Sequence, residues 1–145
     1  MCIQKATLKD LDSLAELFNF YRLFYKQESN IEGAKGFLKE RLTNKESVIY
    51  IAFDKKQPIG FVQLYPSYSS VSMKRSWILN DLYIKESARK KGFAKKLMIQ
   101  AIDFVKETGA NGILLETCNK NLPAQRLYEK IGFERETAYF YYYSI

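Results

Sequence analysis

Across residues 77–105 the hydrophobic period switches from that of a strand to that of a helix, and no other stretch constrains the fold as much. Trp77-Ile78-Leu79-Asn80-Asp81-Leu82-Tyr83-Ile84 is an apolar run of strand length. From Ala94 onward, apolar residues at 94, 97, 98, 101, 104 and 105 recur at helical spacing. Between the two runs lies the basic turn Arg89-Lys90-Lys91-Gly92-Phe93-Ala94. A strand, a short turn and a helix start gather backbone N–H groups without helical partners at the positive end of the helix dipole. Such a nest suits a phosphate. Gly92 lets the backbone approach an anion closely, and Arg89, Lys90 and Lys91 add positive potential.

The same reading extends along the chain. Ile3-Gln4-Lys5-Ala6 is a short candidate strand. Thr7, three residues before Asp10, gives a capping-box-like start with aspartate in place of the usual glutamate. Leu11, Leu14, Phe18, Tyr21 and Tyr25 follow as one apolar helix face, widened by Leu17, Phe20 and Phe24. A second helix is expected over about 34–42, with Gly33 and Gly36 near its start. Residues 47–53 read as a buried strand, 54–58 as a turn and 59–65 as the returning strand. Pro66 is expected to break that strand into a polar, aromatic loop over 66–70. Gly109 stops the helix that follows the basic turn, and 113–118 form another strand. Asn121 leads into a helix with Ala124, Leu127, Tyr128 and Ile131 on one face, ended by Gly132. Residues 137–145 read as a tyrosine-rich final strand and a candidate edge for a homodimer. The order is strand, two helices, three strands, helix, strand, helix, strand. It predicts an α/β fold with a mixed sheet covered by helices and a right-handed crossover between the strands ending at 84 and starting at 113.

Composition removes several chemistries. With 145 residues, 47% of them apolar, the chain suffices for one domain with a real core. No apolar run could span a membrane, and the start Met1-Cys2-Ile3-Gln4-Lys5 lacks a secretory pattern, so the expected location is cytoplasmic. The chain has 0 histidines. That excludes Ser-His and Cys-His nucleophile pairs and histidine metal sites, and no metal is expected. A general base must then be a carboxylate, a tyrosine, a water chain or the substrate itself. Cys2 and Cys118, reduced in a cytoplasm, do not make a zinc site by themselves. The net charge of +7 is spread along the chain, with doublets at Lys55-Lys56, Lys90-Lys91 and Lys95-Lys96 and no long basic run. The last two doublets flank the turn, which favours an anionic ligand there over a nucleic acid.

At these residues the chain resembles the GNAT superfamily of N-acetyltransferases, which use acetyl-coenzyme A. The family's signature is Arg or Gln, two residues, Gly, one residue, then Gly or Ala. Here it reads Arg89-x-x-Gly92-x-Ala94, between a strand and a helix. A second family motif reads Asn121-x-x-Ala124-x-x-Leu127-Tyr128-Glu129-Lys130-x-Gly132-Phe133 and matches at every named position. The resemblance covers nearly the whole chain and is sharpest over 82–133. It implies one acetyltransferase domain over 1–145, with a mixed, mostly antiparallel sheet flanked by helices. It also implies transfer of the acetyl group of acetyl-CoA to a primary amine by direct attack in a ternary complex. Residues 65–82, with Tyr21-Arg22-x-Phe24-Tyr25 upstream, are similar to a branch containing histone- and polyamine-acetylating members. The implied acceptor is a small (poly)amine or a protein amino group.

The resemblance also implies roles. Backbone groups of Leu82, Tyr83 and Ile84 would pair with the pantetheine arm as if it were a further strand. Backbone N–H groups of Arg89, Lys90, Lys91, Gly92, Phe93, Ala94 and Lys95 would hold the diphosphate. Asn121, near Ala124, would fix a pantetheine amide, and Tyr128 would assist the departing thiolate. Tyr21, Tyr25, Glu28 and Asn80 are candidates for the acceptor site, with Tyr65, Tyr68 and Trp77 as candidate walls. Some family members carry a glutamate base on the strand before the turn. The inward positions counted by twos from Leu82 are Asn80 and Ile78, and neither can be a base. Asp81 has the opposite parity unless a bulge re-aims it, while Glu116, Glu28 and a water chain are the alternatives. Tyr128 also has a plain reading as helix core, and Cys118 as a small buried hydrophobe. Two other functions stay open: a domain that binds acyl-CoA without catalysis, and a basic nucleic-acid module, for which salt-dependent binding would be the mark.

Overall fold

The apolar runs of the first part of the chain pair in sequence order into one sheet. In the computed structural model, which describes residues 1–145, the strands are β1 (Cys2–Lys5), β2 (Val48–Asp54), β3 (Gln57–Ser69), β4 (Lys74–Ile84) and β5 (Ile113–Leu114). They lie in the order β1-β2-β3-β4-β5. The first four run antiparallel, and β5 pairs parallel to β4. The mixed sheet is therefore as expected. Helices α1 (Leu11–Phe24) and α2 (Ile31–Thr43) connect β1 to β2, and α3 (Phe93–Glu107) connects β4 to β5. These elements form one compact unit, Met1–Leu115; a second, Glu116–Ile145, carries α4 (Leu122–Ile131). No helix is long and apolar enough to cross a membrane.

Each face of the sheet buries its own set of side chains. Ile49, Ile51 and Phe61 meet Leu14 and Leu17 of α1 and Leu38 of α2, all 1% exposed or less. Tyr21 and Tyr83 pack against that cluster. The alternate positions meet α3: the Phe104 ring stands 6.0 Å from Tyr50 and 5.1 Å from Trp77, both edge-on. The Trp77 indole N–H also reaches Thr108 Oγ1 at 3.1 Å, satisfying the one polar atom of a buried ring. The expected apolar stripe of α1 is interrupted by Asn19, which is buried and doubly used. Its Oδ1 accepts from the Asn30 backbone at 2.8 Å, and its Nδ2 donates to Ser29 Oγ at 3.1 Å. Asn30 in turn caps α2 by accepting from Gly33 N–H at 2.8 Å. Because of that cap α2 starts at Ile31, ahead of the expected position.

Three expectations fail for physical reasons. β3 does not break at Pro66 but runs on to Ser69, with Pro66 opposite Trp77. Pairing with β2 ends at Leu64, so Pro66 sits where β3 has only one strand neighbour and a missing N–H is tolerated. The strand expected over 113–118 is only Ile113–Leu114, because pairing with β4 stops at Ile78. Residues 137–145 form no strand: the second unit contains no strand with which a tyrosine-rich run could pair.

Gly60 shows how closely β3 and β4 approach. A Cβ at this position would stand 2.6 Å from the Tyr83 carbonyl oxygen and 2.6 Å from Ile84 Cδ1. The carbonyl belongs to the ladder and cannot swing away. Gly60→Ala should therefore cost about 1–3 kcal/mol of stability, read as a lower urea midpoint, by forced backbone movement. A midpoint equal to that of the wild type would contradict this packing.

Candidate active site

One extra residue in β4 sets the geometry of the site. Leu64 pairs with Leu79 and Gln63 with Asp81, so Asn80 is a bulge residue with no partner in β3. The bulge reverses the parity of the strand. Asp81 comes to the face shared by Phe61, Gln63 and Tyr83, the face that α1 covers. Asp81 is thus re-aimed inward and is 4% exposed. Asn80, counted as inward-facing by twos from Leu82, is instead exposed, because Leu82 lies opposite Val62 on the α3 face and Asn80 itself sits on the bulge.

The Asp81 carboxylate is held by three donors. Gln63 Nε2 lies 2.6 Å from Oδ2, and Asn80 Nδ2 lies 3.1 Å from Oδ1. The Tyr21 hydroxyl also donates to it. Burial raises the proton affinity of Asp81 above the ordinary carboxylate range, and the hydrogen bonds from Gln63, Tyr21 and Asn80 oppose that rise. Tyr21 is pushed well above a normal phenol, first by burial and then by the Asp81 charge. Tyr65 rises to about 12 for the same two reasons in the same order. A buried carboxylate among neutral donors can accept a proton from a bound group nearer neutral pH than an ordinary aspartate does. Tyr21 is itself fixed by rings: Tyr25 at 5.0 Å, Phe61 at 5.8 Å and Tyr83 at 6.3 Å.

Beyond Ile78, β4 pairs with β3 along one edge and has no strand on the other. The free edge includes Leu82, Tyr83 and Ile84. A short 3-10 turn, Glu86–Ala88, then leads into the basic turn. Arg89 is tied back to the strand: its Nε donates to the Ile84 carbonyl at 2.9 Å, and its guanidinium lies 5.5 Å from the Phe24 ring and 5.7 Å from Tyr83. Lys90 and Gly92 both take left-handed conformations, with φ of 63° and 84°. α3 begins without a side-chain cap, and its Lys96 N–H bonds to the Gly92 carbonyl at 3.2 Å. The N–H groups of Phe93, Ala94 and Lys95 precede that bond at the positive end of the helix. Phe93 is buried and anchors the helix start, while Lys90, Lys91 and Lys95 are exposed.

In the second unit, Asn121 caps α4. Its Oδ1 accepts from Ala124 N–H at 3.3 Å, and Pro123 sits in the first turn. The helix closes at Gly132, whose φ is 125°, with the N–H groups of Gly132 and Phe133 on the Tyr128 carbonyl. Tyr128 is half-buried, its ring 6.1 Å from Phe133. Gln125 Nε2 reaches the Cys118 carbonyl at 3.1 Å.

The structure brings Tyr21, Asn80 and Tyr65 to the Asp81 carboxylate, and Tyr25, itself exposed, packs on Tyr21. Glu28 lies in the α1–α2 connection beside Arg22, Lys26, Gln27, Ser29 and Asn30, around an open polar groove. Trp77 faces α3 and so is not a wall beside Asp81, and Tyr68 stacks on Arg75 at 4.9 Å. Cys118 is exposed, not buried, because the chain has left the sheet before it. No group of three His, Cys, Asp or Glu side chains is placed to hold a metal ion. Gln63 escaped the sequence reading. Its signal was a lone amide within the apolar strand Phe61-Val62-Gln63-Leu64.

Comparison with known proteins bears on the fold. The profile of the family described as Acetyltransferase (GNAT) family matches residues 11–133. The chain is 47% identical over 142 residues to the uncharacterized N-acetyltransferase YhfO of Bacillus subtilis, covering 98% of this chain and 95% of that one. It is 36% identical over 117 residues to a probable acetyltransferase of Haemophilus influenzae, covering 80% of each. A crystal structure of a probable acetyltransferase superposes with a TM-score of 0.91 at 46% identity, covering 100% of this chain and 97% of the other.

The buried charge on Asp81 has a consequence for stability. Its folded-state pKa lies above the ordinary 3.8. The native protein therefore retains a proton that the unfolded chain releases, and stability falls as pH rises from about 3.8 through the raised value. Asp81→Asn removes that loss. The variant should melt above wild type at pH 7–8 by circular dichroism, with the advantage fading toward pH 3.8. A variant that melts lower at neutral pH would count against a strained carboxylate.

Proposed function

The chain belongs to the acetyltransferase (GNAT) family and is an acetyltransferase, and from this we propose that it acetylates a primary amine. The acceptor would be a small (poly)amine or a protein amino group, in a single domain over 1–145. Acetyl-CoA is the family's co-substrate. The observation that carries this reading is the start of α3: uncapped, preceded by left-handed Lys90 and Gly92, and following a strand with one free edge. That arrangement fits a diphosphate joined to an amide-bearing arm. The N–H groups over 89–95 would hold the diphosphate, and the free backbone edge at Leu82, Tyr83 and Ile84 would pair with the pantetheine. Asn121, whose Oδ1 caps α4 at Ala124, would offer its Nδ2 to the pantetheine.

The chemistry assigned to the side chains follows from proton balance. An alkylamine with a pKa near 10.4 is almost wholly protonated at pH 7, and reaching its neutral form costs about 4–5 kcal/mol. Asp81 would take the ammonium proton, freeing the lone pair with which the nitrogen attacks the thioester carbonyl. Its buried carboxylate and raised proton affinity support that role over the exposed Glu28 and Glu116. Tyr21, Tyr25 and Asn80 would border the amine, with Glu28 further out in the α1–α2 groove. Tyr128 would donate to the departing thiolate. A thiol pKa near 8.5 makes this help useful without being indispensable. Positioning and hydrogen bonds to the developing oxyanion would supply most of the acceleration.

Thiol release from acetyl-CoA across a panel of small amines and peptides tests the reading, with turnover expected for at least one primary amine. Tyr128→Phe should lower kcat by about 10–100-fold while leaving coenzyme affinity by calorimetry nearly unchanged. Coenzyme binding without turnover on any amine would instead point to a non-catalytic acyl-CoA-binding protein.

A further inference from the structure

Gln63 is fully buried in the middle of β3 and has one satisfied end. Its Nε2 donates to Asp81 Oδ2 at 2.6 Å, whereas its buried Oε1 accepts from no protein donor. A buried acceptor left unpaired is costly, and an apolar residue of similar volume would avoid it. The two ends of an amide share one shape and differ only in polarity. Half a turn about the terminal torsion exchanges them, and here no bond to Oε1 is lost in the exchange.

We propose that Gln63 is a positioning residue for Asp81, donating through Nε2 to the carboxylate and, after its amide turns over, accepting through Oε1 from the carboxylic acid. This rests on the reading of Asp81 as the proton acceptor. In each turnover the ammonium proton passes to an Asp81 oxygen and then to water, the N–C bond forms, the C–S bond breaks, and the nitrogen's second proton balances the one that Tyr128 gives the departing thiolate. With a fixed amide, the new O–H would face an N–H, two donors opposed in a low-dielectric site. A reversible amide serves both states. The other groups acting on the carboxylate are Tyr21 from α1, Tyr65 from β3 and Asn80 from β4, while Tyr25 at the end of α1 and Tyr83 of β4 pack on Tyr21 and Arg41 of α2 acts on Tyr65. Gln63 is the partner whose free end allows it to change roles.

The experiment follows the Asp81 carboxyl carbon by NMR through a pH titration of wild type, Gln63→Met and Gln63→Glu, with no turnover required. Methionine removes both ends of the amide, and the loss of a donor to a charge should raise the midpoint by about one pH unit or more. Glutamate must share a proton with Asp81 and should raise it further. The acid limb of kcat/KM should move with the midpoint while coenzyme affinity stays constant. In wild type, the Gln63 side-chain N–H resonances should lose their downfield shift at the same midpoint, a measurement that needs no variant. Melting curves establish that the variants fold. A carbon midpoint unmoved or lowered in Gln63→Met sinks the Gln63 role alone. A midpoint that moves without the kcat/KM limb sinks the reading of Asp81 as proton acceptor, and the Gln63 role in turnover with it.

Discussion

The one residue by which β4 exceeds its partner, Asn80, governs everything that could make this molecule reactive. Without the bulge, with Asn80 paired regularly, the strand would alternate evenly from Trp77 to Ile84, and Asp81 would share the α3 face with Val62 and Leu64. With it, the carboxylate turns toward α1 and meets Gln63, Tyr21 and Tyr65 in a dry setting. The same short stretch lies just past the point where pairing with β5 ends, so one edge of the strand is left open. A single local irregularity thus couples a side-chain site on one face to a backbone site along an edge.

The second ingredient is the handover from β4 to α3. Arg89 is usually expected to point at an anion, but here it also staples the turn to the end of the strand through the Ile84 carbonyl and the rings of Phe24 and Tyr83. Its charge is thereby held in place instead of waving in solvent. Buried Phe93 fixes the first helical residue. Backbone N–H groups rigidly presented between two such anchors lose little freedom when they bind, which is the physical content of preorganisation.

Much of this was legible in the sequence because it depends on local period and local turn chemistry. The strand, turn and helix around Gly92, the Thr7–Asp10 capping box and the helix stop at Gly132 all follow from residues within a few positions of one another. What was not legible depends on partners distant in sequence. The side to which Asp81 points is set by register against Gln63, eighteen residues away. The survival of β3 through Pro66 depends on where β2 ends, and the start of α2 depends on a buried asparagine in the preceding helix. The tyrosine-rich terminus carries strong strand propensity, yet propensity requires an edge to pair with.

The bulge also constrains how such a gene can change over time. Side chains at most surface positions can drift, since each touches few neighbours. Removing a codon among 82–84 would be different in kind: either the bulge stays and the later positions of β4 rotate to the opposite side of the sheet, or regular pairing absorbs it and Asp81 turns toward α3. Loss of residue 80 itself would only flatten the bulge, leaving Asp81 directly after Leu79 and still opposite Gln63. Length just past the bulge is therefore inherited more strictly than identity, and descendants of this sequence can vary the letters there far more freely than their number.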